Sequence, residues 1–303
     1  MTRFNSDATI LDVLNDEGLK QYSKYFYYQF PNEINKKKID DTSWYARDAI
    51  NWFYDMVSLK RTSIIYFNKL NKNINLIHIS HKNNSNFAFV VSGGGLVCID
   101  TAHEGISIGK ELYNKGYDVF LLTYRLKENA TLNKTTNDIN KAIEYIKKNR
   151  NILKVDIKDF LLIGGSAGAY IAGSYCSNNR GYHVIDNPKP KCLCLLYPIV
   201  DFHVKEKNIK QIIIGENPSD YLKNKYSVLG HTKETFPPTF IVHCKDDACV
   251  PYSQSESLHI ELEKNHIKNK MLLFSTGNHG WGIGKKLEPE PWFKLFLEFL
   301  KEI

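Results

Sequence analysis

No stretch of this chain approaches the ~20 consecutive apolar residues that a membrane-spanning helix needs, so no helical membrane span is expected. The opening segment, MTRFNSDATILDVLND, lacks an apolar core long enough for a signal peptide. The six cysteines (Cys98, Cys176, Cys192, Cys194, Cys244 and Cys249) show neither CxxC nor His/Cys ligand spacing. Cys192, Cys194 and Cys244 fall inside apolar strand-like runs, where a reduced cysteine behaves as a small hydrophobe. Together these absences predict a cytoplasmic, reduced protein with no metal and no cofactor. Blocks of one charge sign on a single face are missing too. The net charge is +7, yet the lysines are scattered among asparagines, and runs at residues 35–38 and 147–150 read as solvated surface rather than nucleic-acid contacts. A basic surface still suits steering of an anionic substrate. No internal repeat is present. Sequons at Asn83, Asn129 and Asn133 are what an asparagine-rich chain produces by chance.

What is there is a 303-residue chain, 43% hydrophobic, with 18 tyrosines and 16 phenylalanines, enough for one large core. Residues 64–67 and 76–80 look like two strands joined by a turn-rich Asn-Lys-Asn, hence a hairpin. From residue 87 the texture changes. Short continuous apolar runs recur at 87–91, 118–122, 160–164, 191–197, 239–243 and 271–275, as strands buried on both faces of a parallel sheet do. Helix-period segments alternate with them at 105–115, 135–149, 167–177, 254–265 and 292–301. The alternation predicts an α/β fold with a doubly wound, mostly parallel sheet. Reactive groups in such sheets gather beyond the carboxyl ends of the strands.

Two stretches break the alternation. Residues 1–60 carry aromatic-rich helical patterns at 22–30 and 44–56, read as an N-terminal helical extension that packs on the core. Residues 198–237 exceed a simple crossover and read as a partial cap insertion within a domain spanning 61–303.

The chemistry concentrates at four strand ends. Gly164-x-Ser166-x-Gly168, between an apolar run and a small-residue helix, has the form of a nucleophile elbow. Bulky neighbours would clash on so sharp a turn, and the helix N-terminus favours developing negative charge. Downstream, IVHCKDDACVP supplies an orienting acid. Asp247, with two residues between it and Val250-Pro251, is the first choice and Asp246 the reserve, since Asp246 could instead cap the helix that follows. STGNHGWGIG supplies the base, His279, in a glycine-rich loop after the last strand. His243 competes, but lies on a strand and reads as a packed supporting residue. FVVSGGGLVCID supplies oxyanion donors, the backbone amides of Gly94 and Gly95, joined by that of Ala167. A phosphate cradle would need a Gly-Lys-Ser/Thr that is missing, and a dinucleotide turn would need an acidic residue closing the next strand.

With these motifs assembled, the chain resembles the α/β-hydrolase family, and within it the small esterase branch of acetylxylan-esterase-like and hormone-sensitive-lipase-like enzymes. The resemblance runs from about residue 87 to the C-terminus, on Ser92-Gly93-Gly94-Gly95, Tyr124-Arg125-Leu126, the Ser166 elbow, Pro237-Pro238-Thr239-Phe240, Asp247-x-x-Val250-Pro251 and His279-Gly280. Lipase-like members have His where this chain has Ser92. The resemblance implies Ser166 as nucleophile, His279 as base and Asp247 as acid, with Tyr124, Arg125 and Asp138 as structural pairing residues. It implies hydrolysis of a small-molecule carboxylic ester with a short acyl group, such as acetyl on a sugar or alcohol. An amidase or peptidase on the same triad, and a catalytically silent binding protein on this scaffold, are the alternatives. Nothing in the sequence excludes a homo-oligomer.

Overall fold

The computed structural model describes residues 3–41, 46–68, 70–203 and 208–303. Its strands are β1 (Tyr27–Tyr28), β2 (Thr62–Ile65), β3 (Asn75–Ile79), β4 (Ser85–Val91), β5 (Ile99–Asp100), β6 (Asp118–Thr123), β7 (Val155–Gly165), β8 (Cys192–Leu196), β9 (Thr239–Cys244) and β10 (Asn269–Phe274). Eight of them form one sheet in the order β10-β9-β8-β7-β4-β6-β3-β2. Pairing is parallel from β10 through β6 and antiparallel from β6 through β3 to β2. The fold is therefore the α/β, mostly parallel arrangement that the alternating runs imply.

Why those runs are continuously apolar is visible along β4. Phe87, Phe89 and Val91 join one buried cluster while Ala88 and Val90 join the other, because successive side chains point to opposite faces and both faces are covered. Helices Lys134–Leu153, Ala167–Cys176 and Ser253–Lys264 contribute to the first cluster. Helices Arg47–Ser58, Ser107–Tyr113 and Trp292–Phe299 contribute to the second.

The N-terminal stretch carries helices Ile10–Leu14, Lys20–Ser23 and Arg47–Ser58, and only its pattern at residues 22–30 departs from the helical reading. Of that pattern only Tyr22 and Ser23 are helical, at the end of helix Lys20–Ser23, and Tyr27–Tyr28 is a strand. The cause is tertiary. Tyr27 and Tyr28 pair antiparallel with Asp100 and Ile99, and the Phe26 carbonyl accepts the Ala102 amide at 3.0 Å, so the ladder overrides local propensity. In the pattern at 44–56, the helix begins at Arg47; Trp44 lies outside the described residues. Phe4, Ile10, Tyr22, Phe26 and Phe53 share one buried cluster with Trp281, Trp292 and Phe296.

Between β8 and β9, residues 198–237 hold two short helices, Asn208–Ile214 and Asp220–Tyr226, with 204–207 outside the described residues. Phe202, Ile213, Tyr226 and Val228 pack in the same cluster as Tyr170 and Tyr175 of helix Ala167–Cys176. The buried Arg180 guanidinium ties this segment down, donating to the carbonyls of Lys225, Tyr226 and Ser227 at 2.7, 2.9 and 2.8 Å. No helix among the described residues is long and apolar enough to cross a membrane.

Candidate active site

β7 ends at Gly165 and the next helix starts at Ala167, leaving Ser166 alone on the turn at φ 51° and ψ −118°. A non-glycine residue held there carries strain of about 1–3 kcal/mol, which persists only where surrounding contacts impose it. One of them is the Ser166 amide, which donates to the Leu196 carbonyl of β8 at 2.9 Å. The flanking glycines are sterically required. A Cβ on Gly164 would stand 2.6 Å from the Ala169 Cα, and one on Gly168 would run into the Val91 carbonyl.

The turn aims the hydroxyl at the loop after β10. Ser166 Oγ donates to His279 Nε2 at 2.9 Å, and His279 Nδ1 donates to Asp247 Oδ2 at 2.7 Å. The tautomer follows from chemistry: an ionised carboxylate only accepts, so Nδ1 carries the proton and Nε2 is left basic. Asp247 has no exposed side-chain surface. Its Oδ1 accepts the amides of Cys249 and Val250, both at 2.8 Å, and its Oδ2 also accepts His243 Nε2 at 3.1 Å. Burial alone would raise this carboxyl's pKa, but the hydrogen bonds from His243 and His279 outweigh it and hold the group well below the usual carboxylate range. Asp247 is therefore a stable anion behind the imidazole.

The two alternatives occupy other places. Asp246 accepts the amides of Gly277 and Asn278 at 3.1 and 2.8 Å, shaping the His279 loop without meeting the imidazole. His243 is fully buried, with Nδ1 taking the Ser255 hydroxyl at 2.7 Å and Nε2 backing Asp247. Arg125 pairs with Asp138, its Nε donating at 3.0 Å, and the Tyr124 hydroxyl donates to the Ser92 carbonyl at 2.8 Å.

Past β4 the loop turns through Gly94 (φ 128°) and Gly95 (φ 63°), and the Gly94 carbonyl accepts the amides of Val97 and Cys98. A Cβ on Gly93 would lie 2.8 Å from the Ser166 Cβ, so this loop abuts the serine. Among the described residues, no acceptor meets the amides of Gly94, Gly95 or Ala167. The arrangement thus offers a hydroxyl with a proton acceptor, an anion that stabilises the resulting imidazolium, and unengaged backbone donors nearby. Among the described residues, no group of three or more His, Cys, Asp or Glu side chains could hold a metal ion.

Glu104 and Tyr197, both fully or nearly fully buried beside the serine turn and the His279 loop, stand in no sequence motif that marks them. The one available hint is indirect: glycines at 93 and 165 leave space that a side chain from elsewhere must fill.

Comparison with known proteins places the chain in a known family and fold. The BD-FAE family model matches residues 76–262. Endo-1,4-beta-xylanase B of Butyrivibrio fibrisolvens is 29% identical over 202 residues, which cover 63% of this chain and 32% of that protein. Isoprenylcysteine alpha-carbonyl methylesterase of Arabidopsis thaliana is 23% identical over 251 residues, covering 72% of this chain and 56% of that protein. The chain thus spans about a third and about half of the lengths of these relatives. Among solved structures, the acetyl ester-xyloside bifunctional hydrolase of Caldicellulosiruptor lactoaceticus superposes with a TM-score of 0.70 at 22% identity, over 80% of this chain and 96% of that one. The propionate-bound esterase of Thermogutta terrifontis superposes with a TM-score of 0.64 at 17% identity, over 80% and 94%. These two share the fold.

Proposed function

The chain belongs to the BD-FAE family, and on that premise we propose that it is a serine hydrolase of carboxylic esters acting through Ser166, His279 and Asp247. Ser166 Oγ attacks the ester carbonyl while His279 Nε2 takes its proton. The oxyanion that forms is met by the amides of Gly94, Gly95 and Ala167, each such donor being worth on the order of 100- to 1000-fold in rate. The imidazolium, steadied by Asp247, returns the proton to the leaving alkoxide. Water then repeats the sequence on the acyl-enzyme and frees Ser166. The observation that carries this reading is the unbroken hydrogen-bonded series from Ser166 through His279 to the buried Asp247.

A short acyl group, such as acetyl on a sugar or alcohol, is the substrate class we infer. Its support is that two proteins similar to this one are named a xylanase and an acetyl ester-xyloside hydrolase. The six cysteines are all unpaired, which fits a reducing, cytoplasmic setting. The test compares p-nitrophenyl esters of two to twelve carbons, acetylated xylo-oligosaccharides and matched anilides, with the wild type and Ser166→Ala. The expected result is hydrolysis of acetyl esters, little of anilides, and none by the variant. Preference for the anilides would move the assignment to an amidase. Inertness toward all of them would favour a silent binding protein.

A further inference from the structure

The reaction proposed above leaves one carboxyl beside the serine unused. Glu104 lies in a π-helical turn, Thr101–Ile106, and is 4% exposed. The turn leads directly into helix Ser107–Tyr113, and π-helical turns are rare and frequently found at functional sites. The side chain reaches three segments at once. A Cβ on Gly93 would stand 2.8 Å from both Glu104 Oε2 and Ser166 Cβ. A Cβ on Gly165 would stand 2.9 Å from Oε2, and one on Gly280 would stand 3.9 Å from Oε1. The carboxylate is thus wedged among the oxyanion loop, the serine turn and the loop that carries His279.

Its hydrogen bonds follow the same division. Oε2 accepts the Gly93 amide, next to the candidate donors Gly94 and Gly95. Oε1 accepts the Tyr197 hydroxyl at 2.9 Å. That hydroxyl accepts the Gly282 amide at 3.2 Å, and the Tyr197 ring centre lies 4.7 Å from that of His279. Burial raises the Glu104 pKa and nearby Asp100 adds to the effect, while the bonds from Gly93 and Tyr197 pull it back. Apolar packing could fill this space without the cost of a buried acid. Two glycine-rich loops that must agree in position give a reason for a group that holds both.

We propose that Glu104 is a positioning residue for this site, one carboxylate locking the Gly93–Gly95 donors and, through Tyr197, the His279 loop into register with Ser166. The proposal rests on the hydrolase reading for its kinetic consequence and on the contacts alone for its structural one. Displacements near 1 Å in a reacting constellation can cost about 100-fold in rate.

The experiment compares Glu104→Gln, Tyr197→Phe and the double variant with wild type. It measures kcat and KM on p-nitrophenyl acetate, thermal unfolding, and amide hydrogen exchange in residues 93–98 and 277–284. Glutamine keeps an acceptor for Gly93 but turns an NH2 toward a hydroxyl that already accepts from Gly282. Phenylalanine keeps the ring packing and removes only the link. The expected result is kcat lowered roughly 100-fold with KM and unfolding temperature retained, faster exchange in both loops, and a double variant no worse than the poorer single one. Unchanged kcat, or loss that merely follows lowered stability with independent, additive effects, would overturn it. Should wild type show no esterase activity, the hydrolase reading fails, and loop exchange still decides the positioning claim: protection unchanged in both single variants would refute it.

Discussion

Replacing Asp247 by asparagine is a sharp perturbation, because the carboxylate accepts four hydrogen bonds and donates none. Oδ1 faces the amides of Cys249 and Val250, and Oδ2 faces His279 Nδ1 and His243 Nε2. An asparagine has one accepting oxygen and one donating NH2, so in either orientation its NH2 meets two donors. If the oxygen stays with the backbone amides, His279 must deprotonate Nδ1 and move its proton to Nε2, facing Ser166 with a donor. If it faces the imidazoles instead, the two backbone donors are left buried and unpaired, at about 1–3 kcal/mol each. The first arrangement is the less costly. In Ser-His-Asp sites that inversion of tautomer lowers kcat by about 10⁴-fold, equivalent to about 5 kcal/mol of transition-state stabilisation. Asp246→Asn is the matched control. Its carboxylate only accepts two loop amides near the surface, each such bond being worth about 0.5–1.5 kcal/mol, so losing one lowers kcat by roughly tenfold or less. Steady-state hydrolysis of p-nitrophenyl acetate by both variants, with circular dichroism to establish folding, makes the comparison. A folded Asp247→Asn enzyme within tenfold of wild type, or an Asp246→Asn enzyme equally damaged, would contradict the role given to Asp247.

Three other outcomes follow from the same contacts. Gly168→Ala places a methyl against the Val91 and Ser92 carbonyls, so chemical denaturation should show a loss of about 1–3 kcal/mol or more, typical of overpacking, together with reduced activity. Phe296→Ala empties a fully buried site shared with Phe240 and Trp292; it should cost about 3–5 kcal/mol while kcat of the folded enzyme stays near wild type. The depressed pKa of Asp247 means its stabilisation is complete above the ordinary carboxylate value of 3.8 and is lost only as pH falls through the lower folded value. Urea unfolding at pH 4.5 should therefore still show wild type more stable than Asp247→Asn by at least the margin seen at pH 7, and a margin already gone at pH 4.5 would contradict this.

Much of the sheet was readable because burial on both faces forces continuous apolar runs, and β4, β7 and β9 coincide with them. The three residues of the hydrogen-bonded series, Ser166, His279 and Asp247, are marked by neighbours close in sequence: glycines around the serine, Val-Pro after the aspartate, glycines after the histidine. What stayed hidden depended on partners far along the chain. The strand at Tyr27–Tyr28 exists because Ile99–Asp100 lies beside it, and its aromatic residues carry no local sign of that pairing. Glu104 meets Gly93 and Tyr197, 11 and 93 residues away. Its own neighbourhood reads as the start of an ordinary helix. His243 was placed as a supporting residue by its strand position, but that its ring bonds the acid itself needed coordinates.

A nucleophilic Ser166 activated by His279 is the proposal on which every other role assigned here depends. The most direct measurement is reaction with a fluorophosphonate followed by peptide mass spectrometry. One adduct is expected, on the peptide containing Ser166, forming quickly in wild type, far more slowly in His279→Ala, and not at all in Ser166→Ala. A folded wild-type protein that takes no label, or one labelled equally well without His279, would contradict it.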